Sequence, residues 1–266
     1  MGAMQQILLG TSSAAAVVGQ QAYTTAGTYS WVAPAGVTKV SAVTVGGGGP
    51  GSFFCTEYSG GGGGALAYVN NFSVTPGDSY PVVVGNGGVA HTTNGGFSSF
   101  NTTTSKANGG DKGVQAGGGG VGGTVVNGTG GSGGNGGSSP AGGGGGAGGY
   151  AGAGGAGKNG GDGAGSAGAT SSGAGGGGGG NLGEPCGSGG GGGGVGILGQ
   201  GSTGAGGASG LNRGGGGSGG TGGGASATGG AYGGGSSDQQ AGAVGAVRII
   251  WPGCARSFPS TRTTDE

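Results

Sequence analysis

Charge is scarce in this chain. Among 266 residues, eight acidic and eight basic side chains cancel, and charged residues make up 6% of the whole. Without an excess of lysine or arginine there is no electrostatic footprint for a nucleic acid or an anionic membrane, so neither is expected as a partner. Histidine is scarcer still: His91 is alone, and is expected to be an exposed loop residue. The three cysteines, Cys55, Cys186 and Cys254, are widely spaced and form no CxxC pair. That pattern argues against a zinc site and leaves free thiols or one disulfide of any pairing open. Hydrophobic residues reach only 31%, many of them alanine, which excludes a large apolar core. No run of 18 apolar residues occurs, so no membrane-spanning helix is expected. The first 19 residues lack the basic start and unbroken apolar stretch of a secretory signal.

The same scarcity bears on catalysis. One histidine, no supported acid pair, and serines set in polar glycine linkers give no nucleophile with a recognisable base. The expectation is a protein that is not an enzyme, with no cofactor and no metal. Two glycine motifs tempt and fail. Gly152, Gly154 and Gly157 spell GxGxxG, and Gly152 to Lys158 spell GxxxxGK, but Asn159 stands where a phosphate-binding loop needs Ser or Thr. Neither has a flanking strand and helix. The segment around Asp162 touches the calcium nonapeptide once, without its alternating apolar residue.

What the chain has is glycine. Between Gly109 and Gly242, 69 of 134 residues are glycine. Such a tract cannot form a packed α-helix, where each glycine costs about 1 kcal/mol relative to alanine, nor a sheet stabilised by side chains. Two states remain, disorder or extended helices that bury one another. Period decides between them. In NGTGGSGGNGG, Thr129, Ser132 and Asn135 stand three apart with glycine between. From residue 142 to 162, Ala147, Tyr150, Ala153, Ala156, Asn159 and Asp162 keep one phase. Three residues per turn is the pitch of the extended left-handed helix. Glycine on every contacting face lets neighbours approach closely enough to exchange N–H···O=C bonds, so a polyglycine II bundle is expected. Collagen fails on composition, because it needs about 15–20% proline and this stretch has only Pro140 and Pro185.

The flanks read differently. Residues 28–32, 37–45, 66–74, 79–84 and 97–101 are short β-branched and aromatic runs separated by Pro34-Ala35-Gly36, Pro76-Gly77-Asp78 and glycine clusters. Residues 246–251, AVRIIW, make one more strand, stopped by Pro252 and Gly253. The expected fold is mainly β with almost no α-helix: a small antiparallel β-sandwich, closed by the last strand, with an inserted polyglycine II bundle. The corresponding segments are 1–21 (attachment or disordered), 22–108 (sandwich), 109–242 (bundle), 243–254 (closing strand) and 255–266 (tail). Turns of the bundle are expected at 138–141, 158–162, 170–172, 181–188, 197–200, 211–213 and 236–240.

The segment FSVTPGDSYPVVVGNGG, followed by GGFSSFN and glycine runs, resembles glycine-rich domains of bacteriophage tail fibres. The closing GAVRIIWPGCARSFPST resembles the end of glycine-rich fibre proteins of tailed phages. The resemblance covers about residues 22–108 and 242–260 plus the glycine layout. It implies a relative of the distal tip adhesins of T-even-like long tail fibres, whose polyglycine II loops contact a host receptor. The implied partners are a cell-surface receptor, either an outer-membrane protein or a glycan, and a tail-fibre protein. The implied location is the virion, with a monomer at a fibre tip or a self-assembling subunit.

Function in such a design sits on loops held by a rigid scaffold, and aromatics are the natural anchors. The candidates for receptor contact are Phe53, Phe54, Tyr58, Tyr150, Leu182, Glu184 and Tyr232; each competes with a packing role. The alternative class is a structural protein, a fibre or extracellular filament subunit. An ice-binding face ranks below it, because Tyr150, Asn159 and Asp162 interrupt the alanines. Aromatics crowded at one free end would favour an adhesin, and side chains repeated along opposite flanks would favour lateral assembly.

Overall fold

Turn chemistry sets the first crossings from one sheet to the other. In Pro34-Ala35-Gly36-Val37 the Val37 N–H reaches the Pro34 carbonyl at 3.0 Å, and Gly36 takes φ 81°. Thr75-Pro76-Gly77-Asp78 repeats the device, with Gly77 at φ 87°. Pro76 presets the first corner of the second turn, and in both turns glycine supplies the left-handed backbone that an L side chain resists. The computed structural model describes residues 17–54, 57–114, 117–160, 168–173, 175–180, 189–208, 213–218, 220–224 and 228–260.

Between such turns run β1 (Gly19–Tyr23), β2 (Gly27–Val32), β3 (Lys39–Val45), β4 (Ser52–Phe54), β5 (Glu57–Ser59), β6 (Leu66–Ser73), β7 (Ser79–Val84), β8 (Ser98–Phe100), β9 (Ser105–Ala107), β10 (Val125–Asn127), β11 (Thr129–Gly131) and β12 (Ala246–Trp251). No α-helix occurs among the described residues. One five-stranded sheet has the order β1-β12-β3-β6-β11 and the other β10-β9-β8-β7-β2, while β4 and β5 form a separate hairpin. All named pairings are antiparallel. The expected mainly β, antiparallel architecture is therefore present, and the closing strand lies between β1 and β3.

The two sheets face each other across a core of Trp31, Val40, Ala42, Val82, Val84, Phe100, Val247, Ile249 and Trp251. Trp31 lies at its centre, with ring centroids 5.7 Å from Trp251 and 6.2 Å from Phe100. The first sheet is buried on its other face too. Val43, Val45, Leu66, Ala246 and Ile250 pack there against Ala147, Tyr150, Val195, Ile197 and Phe258. A strand covered on both sides has no need of polar alternation, which accounts for the runs VSAVTV and AVRIIW.

Beyond that second face the chain abandons side-chain packing. Residues 60–65 display the rule. The N–H groups of Gly60 and Gly63 donate to Gly137 and Gly134, those of Gly61 and Gly64 to Ser236 and Gly233, and those of Gly62 and Ala65 to Asp111 and Asn108. Each segment is met every third residue, so successive N–H groups point in three directions. The carbonyls face three further segments. Gly60 and Gly63 accept from Gly120 and Gly123, Gly61 and Gly64 from Gly145 and Gly148, and Gly62 and Ala65 from Gly49 and Gly46. One run thus bonds to six neighbours through main chain alone, at 2.7–3.0 Å. A methyl group on any of residues 60–64 would fall 2.0–2.3 Å from a carbonyl oxygen. Glycine is required at all five positions, where a collagen-like strand would need it at one in three.

Residues 142–149 repeat the arrangement. Gly143, Gly146 and Gly149 donate to Lys158, Gly155 and Gly152, Gly144 and Ala147 to Gly190 and Gly193, and Gly145 and Gly148 to Gly61 and Gly64. Depth separates this run from 127–137: every residue of 142–149 is buried, whereas Thr129 and Asn135 are exposed and Ser132 is half-buried.

The structure corrects one reading of the period. Ala147 and Tyr150 share a sequence phase with Ala153, Ala156 and Asn159 but no common face. The first two are buried and the other three exposed, because the chain reverses at 150–152 and residues 152–158 return antiparallel. The glycines at 46–49 and 60–64, inside the stretch read as sandwich, belong spatially to the glycine array. The segment read as a tail is pinned as far as residue 260. A bulge in β6 places Asn71 at φ 56°, and the Asn70 amide clamps the Phe258 main chain through Nδ2→O at 2.7 Å and N→Oδ1 at 2.9 Å.

Candidate functional site

Connectivity decides where loops gather. Residues 46–51 leave the first sheet at Val45 and lead to β4, and residues 60–65 return from β5 to Leu66. The β4–β5 hairpin therefore caps the end of the glycine array farthest from the sheet. Other loops meet it there. Gly142 N–H donates to Tyr58 O and Tyr58 N–H to Pro140 O, which brings in the turn at 138–141. Gly113 N–H donates to Pro50 O and Ser59 Oγ to Val114 O. Ser236 takes both Gly49 O and Gly51 N–H, and His91 Nδ1 lies 3.3 Å from Ser52 Oγ. Five non-glycine loops thus share one end.

The hairpin gives that end two faces, because β-strand side chains alternate. Phe53 pairs with Tyr58 on one face, their ring centroids 4.6 Å apart and both side chains half-buried. Ser52 pairs with Ser59 on the other. Against this second face lies a cavity of about 280 Å³ bounded by Ser52, His91, Lys112, Gly113 and Val114. Lys112 Nζ donates to His91 O at 3.1 Å and Thr92 O at 3.4 Å. Asp111 is turned to another task, its Oδ1 accepting from Asn94 Nδ2 at 2.6 Å. Gly113 is fixed by space, since a methyl there would fall 2.5 Å from Ser59 Oγ.

The candidate residues divide between the two ends of the array. Phe53 and Tyr58 lie at the hairpin end, as does the backbone of Phe54, paired with Glu57. Leu182 and Glu184 lie outside the described residues, as do Asp162, Cys55 and Cys186. No family model and no curated protein matches the chain. Tyr150 is corrected to a core residue: it is 1% exposed, stacks on Phe258 at 5.9 Å, and donates its hydroxyl to Gly196 O. Tyr232 is half-buried against the same cluster. Both fill the junction between sheet and array, where aromatic area is worth most to packing.

His91 is also corrected, from a solvent-exposed loop position to a half-buried one with left-handed backbone, φ 59°. Together with Lys112 it is the functional candidate that sequence reasoning missed. The segment VAHTTNGG carries turn composition but nothing that pairs it with residues 20 positions later. Cys254 is exposed and free. Among the described residues no group of three or more His, Cys, Asp or Glu is placed to hold a metal, and no helix is long and apolar enough to cross a membrane.

Proposed function

We propose that this chain is a non-enzymatic receptor-binding protein of a phage tail fibre. On this reading its glycine runs are polyglycine II helices, and the loops at the hairpin end contact a host-surface receptor, an outer-membrane protein or a glycan. The observation that carries the reading is the six-neighbour, period-three bonding of residues 60–65, because such an array holds the loop-bearing end rigid with no help from the loops themselves. The half-buried Phe53–Tyr58 pair at that end supports it further, since aromatic pairs offer large contact area at small entropic cost.

The test is adsorption. Purified protein is expected to bind envelopes of a susceptible bacterium and to block phage attachment, and a Phe53→Ala/Tyr58→Ala variant with unchanged circular dichroism to do so at least tenfold less well. Absence of envelope binding across a panel of hosts would overturn the reading. A filament subunit is the second reading, favoured by the position of β1 and β2 as edge strands among the described residues and by exposed Val18 and Val32 beside them. Sedimentation that finds only monomers at high concentration removes it.

A further inference from the structure

We infer that the cavity beneath the hairpin is a subsite for a single acidic sugar residue, one bearing a carboxylate or a phosphate. The inference rests on reading the hairpin end as the recognition end, and it adds the chemical class of the ligand. Three observations lead to it. Lys112 supplies a positive charge whose described partners are two neutral carbonyls, and the adjacent carboxylate of Asp111 is engaged with Asn94. An ammonium held this way is positioned and has no ion-pair partner among the described residues, so it can pair with an anion that enters the cavity.

The rest of the lining is polar and fixed. Ser52 is 1% exposed, and its hydroxyl and the His91 ring hold each other at 3.3 Å. Both can donate or accept, which suits sugar hydroxyls beside the charged group. Size sets the limit. About 280 Å³ lies just under the usual range of small-molecule sites, about 300–1,000 Å³, so one ring fits and a folded peptide segment does not. Val114, 57% exposed at the rim, offers an apolar patch for the ring's C–H face.

The experiment titrates the full chain with glucuronic acid, N-acetylneuraminic acid, glucose 6-phosphate, inorganic phosphate, neutral glucose and an acidic peptide, reading amide and His91 shifts by NMR. Saturable shifts are expected at His91, Lys112 and Gly113 with the acidic sugars only. Binding is expected to fall about tenfold or more in Lys112→Gln, in line with loss of one charge-assisted bond. It should weaken less in Ser52→Ala, which keeps the charge and guards against an unfolded first variant. Inorganic phosphate or the acidic peptide binding as well as the acidic sugars would overturn the sugar assignment. Equal binding of neutral glucose, or an unchanged affinity in Lys112→Gln, would overturn the charge assignment. If no sugar binds while the protein still adsorbs to envelopes, the subsite fails and the recognition reading stands; if adsorption is also lost, both fail.

Discussion

The two faces of the first sheet are rigid for opposite reasons. Toward the second sheet, Trp31, Phe100 and Trp251 fill space with side chains, and the backbone serves only to position them. A short way beyond the other face, residues 60–64 and 142–146 fill space with backbone, and a single side-chain carbon is too much. In the sandwich a change of volume is felt as a cavity. In the array it is felt as a collision with a hydrogen-bonded carbonyl. Specificity comes from shape in the first case and, in the second, from the requirement that every buried N–H find an acceptor.

The largest break in that comparison is expected from Trp31→Ala, which should cost about 3–5 kcal/mol in chemical denaturation by emptying the sandwich centre. Gly63→Ala and Gly146→Ala add one carbon each. They should still cost about 3 kcal/mol, the upper end of overpacking, because the methyl meets Gly146 O at 2.0 Å or Gly176 O at 1.9 Å. A smaller effect of opposite sign is expected from Tyr23→Phe. The Tyr23 hydroxyl is buried with no hydrogen-bond partner among the described residues, so its removal should stabilise by about 1 kcal/mol.

Tyr23 also carries a pH signature. Burial, with a smaller contribution from Tyr29, pushes its pKa up. The unfolded chain therefore loses the proton first as pH passes 10, and stability should be full below that value and decline above it. The decline should be shallower in Tyr23→Phe, as followed by thermal melts from pH 8 to 11. Burial raises the Tyr68 pKa in the same direction, so some decline remains. The smallest effect sharpens the contrast. At Gly117 and Gly118 none of the described residues lies within 4 Å of an added methyl, and alanine at either should be neutral or stabilise by about 0.4–1 kcal/mol through the unfolded state.

The sandwich was largely legible because its strands announce themselves. The runs at 28–32, 66–74, 79–84 and 246–251 are β-branched or aromatic and are each bounded on at least one side by a turn containing proline and glycine, and each appears within two residues of its expected bounds. The hairpin strands β4 and β5 were not, since SFF and EYS are too short to alternate visibly and glycine flanks both. Nor were β9 to β11, where SKA, VVN and TGG borrow their structure from a neighbouring edge. In the glycine region the period of three picked out Thr129 and Asn135, which are exposed, and Ser132, which is half-buried, in a run that lies at the surface. It misled at 147–159, where the same phase crosses a reversal of the chain.

A better signal was present. Glycine runs of five or more, at 60–64, 142–146, 175–180 and 189–194, are segments in which every residue is buried, whereas the shorter runs 117–120 and 214–217 reach the surface. The hairpin end itself was half legible. Phe53 and Tyr58 stood out as aromatics in a glycine background. His91 and Lys112 did not, because only the array's lateral neighbours bring them beside Ser52.

The absence of apolar surface between the glycine runs has a thermal consequence. Exposing hydrocarbon to water raises heat capacity and exposing peptide groups lowers it. Melting the array should therefore carry a smaller increment per residue than the ~12–15 cal/mol/K of ordinary domains. Its stability curve is correspondingly flat, and the hydrophobic weakening that proteins suffer near freezing falls on the sandwich while the loop-bearing end keeps its form.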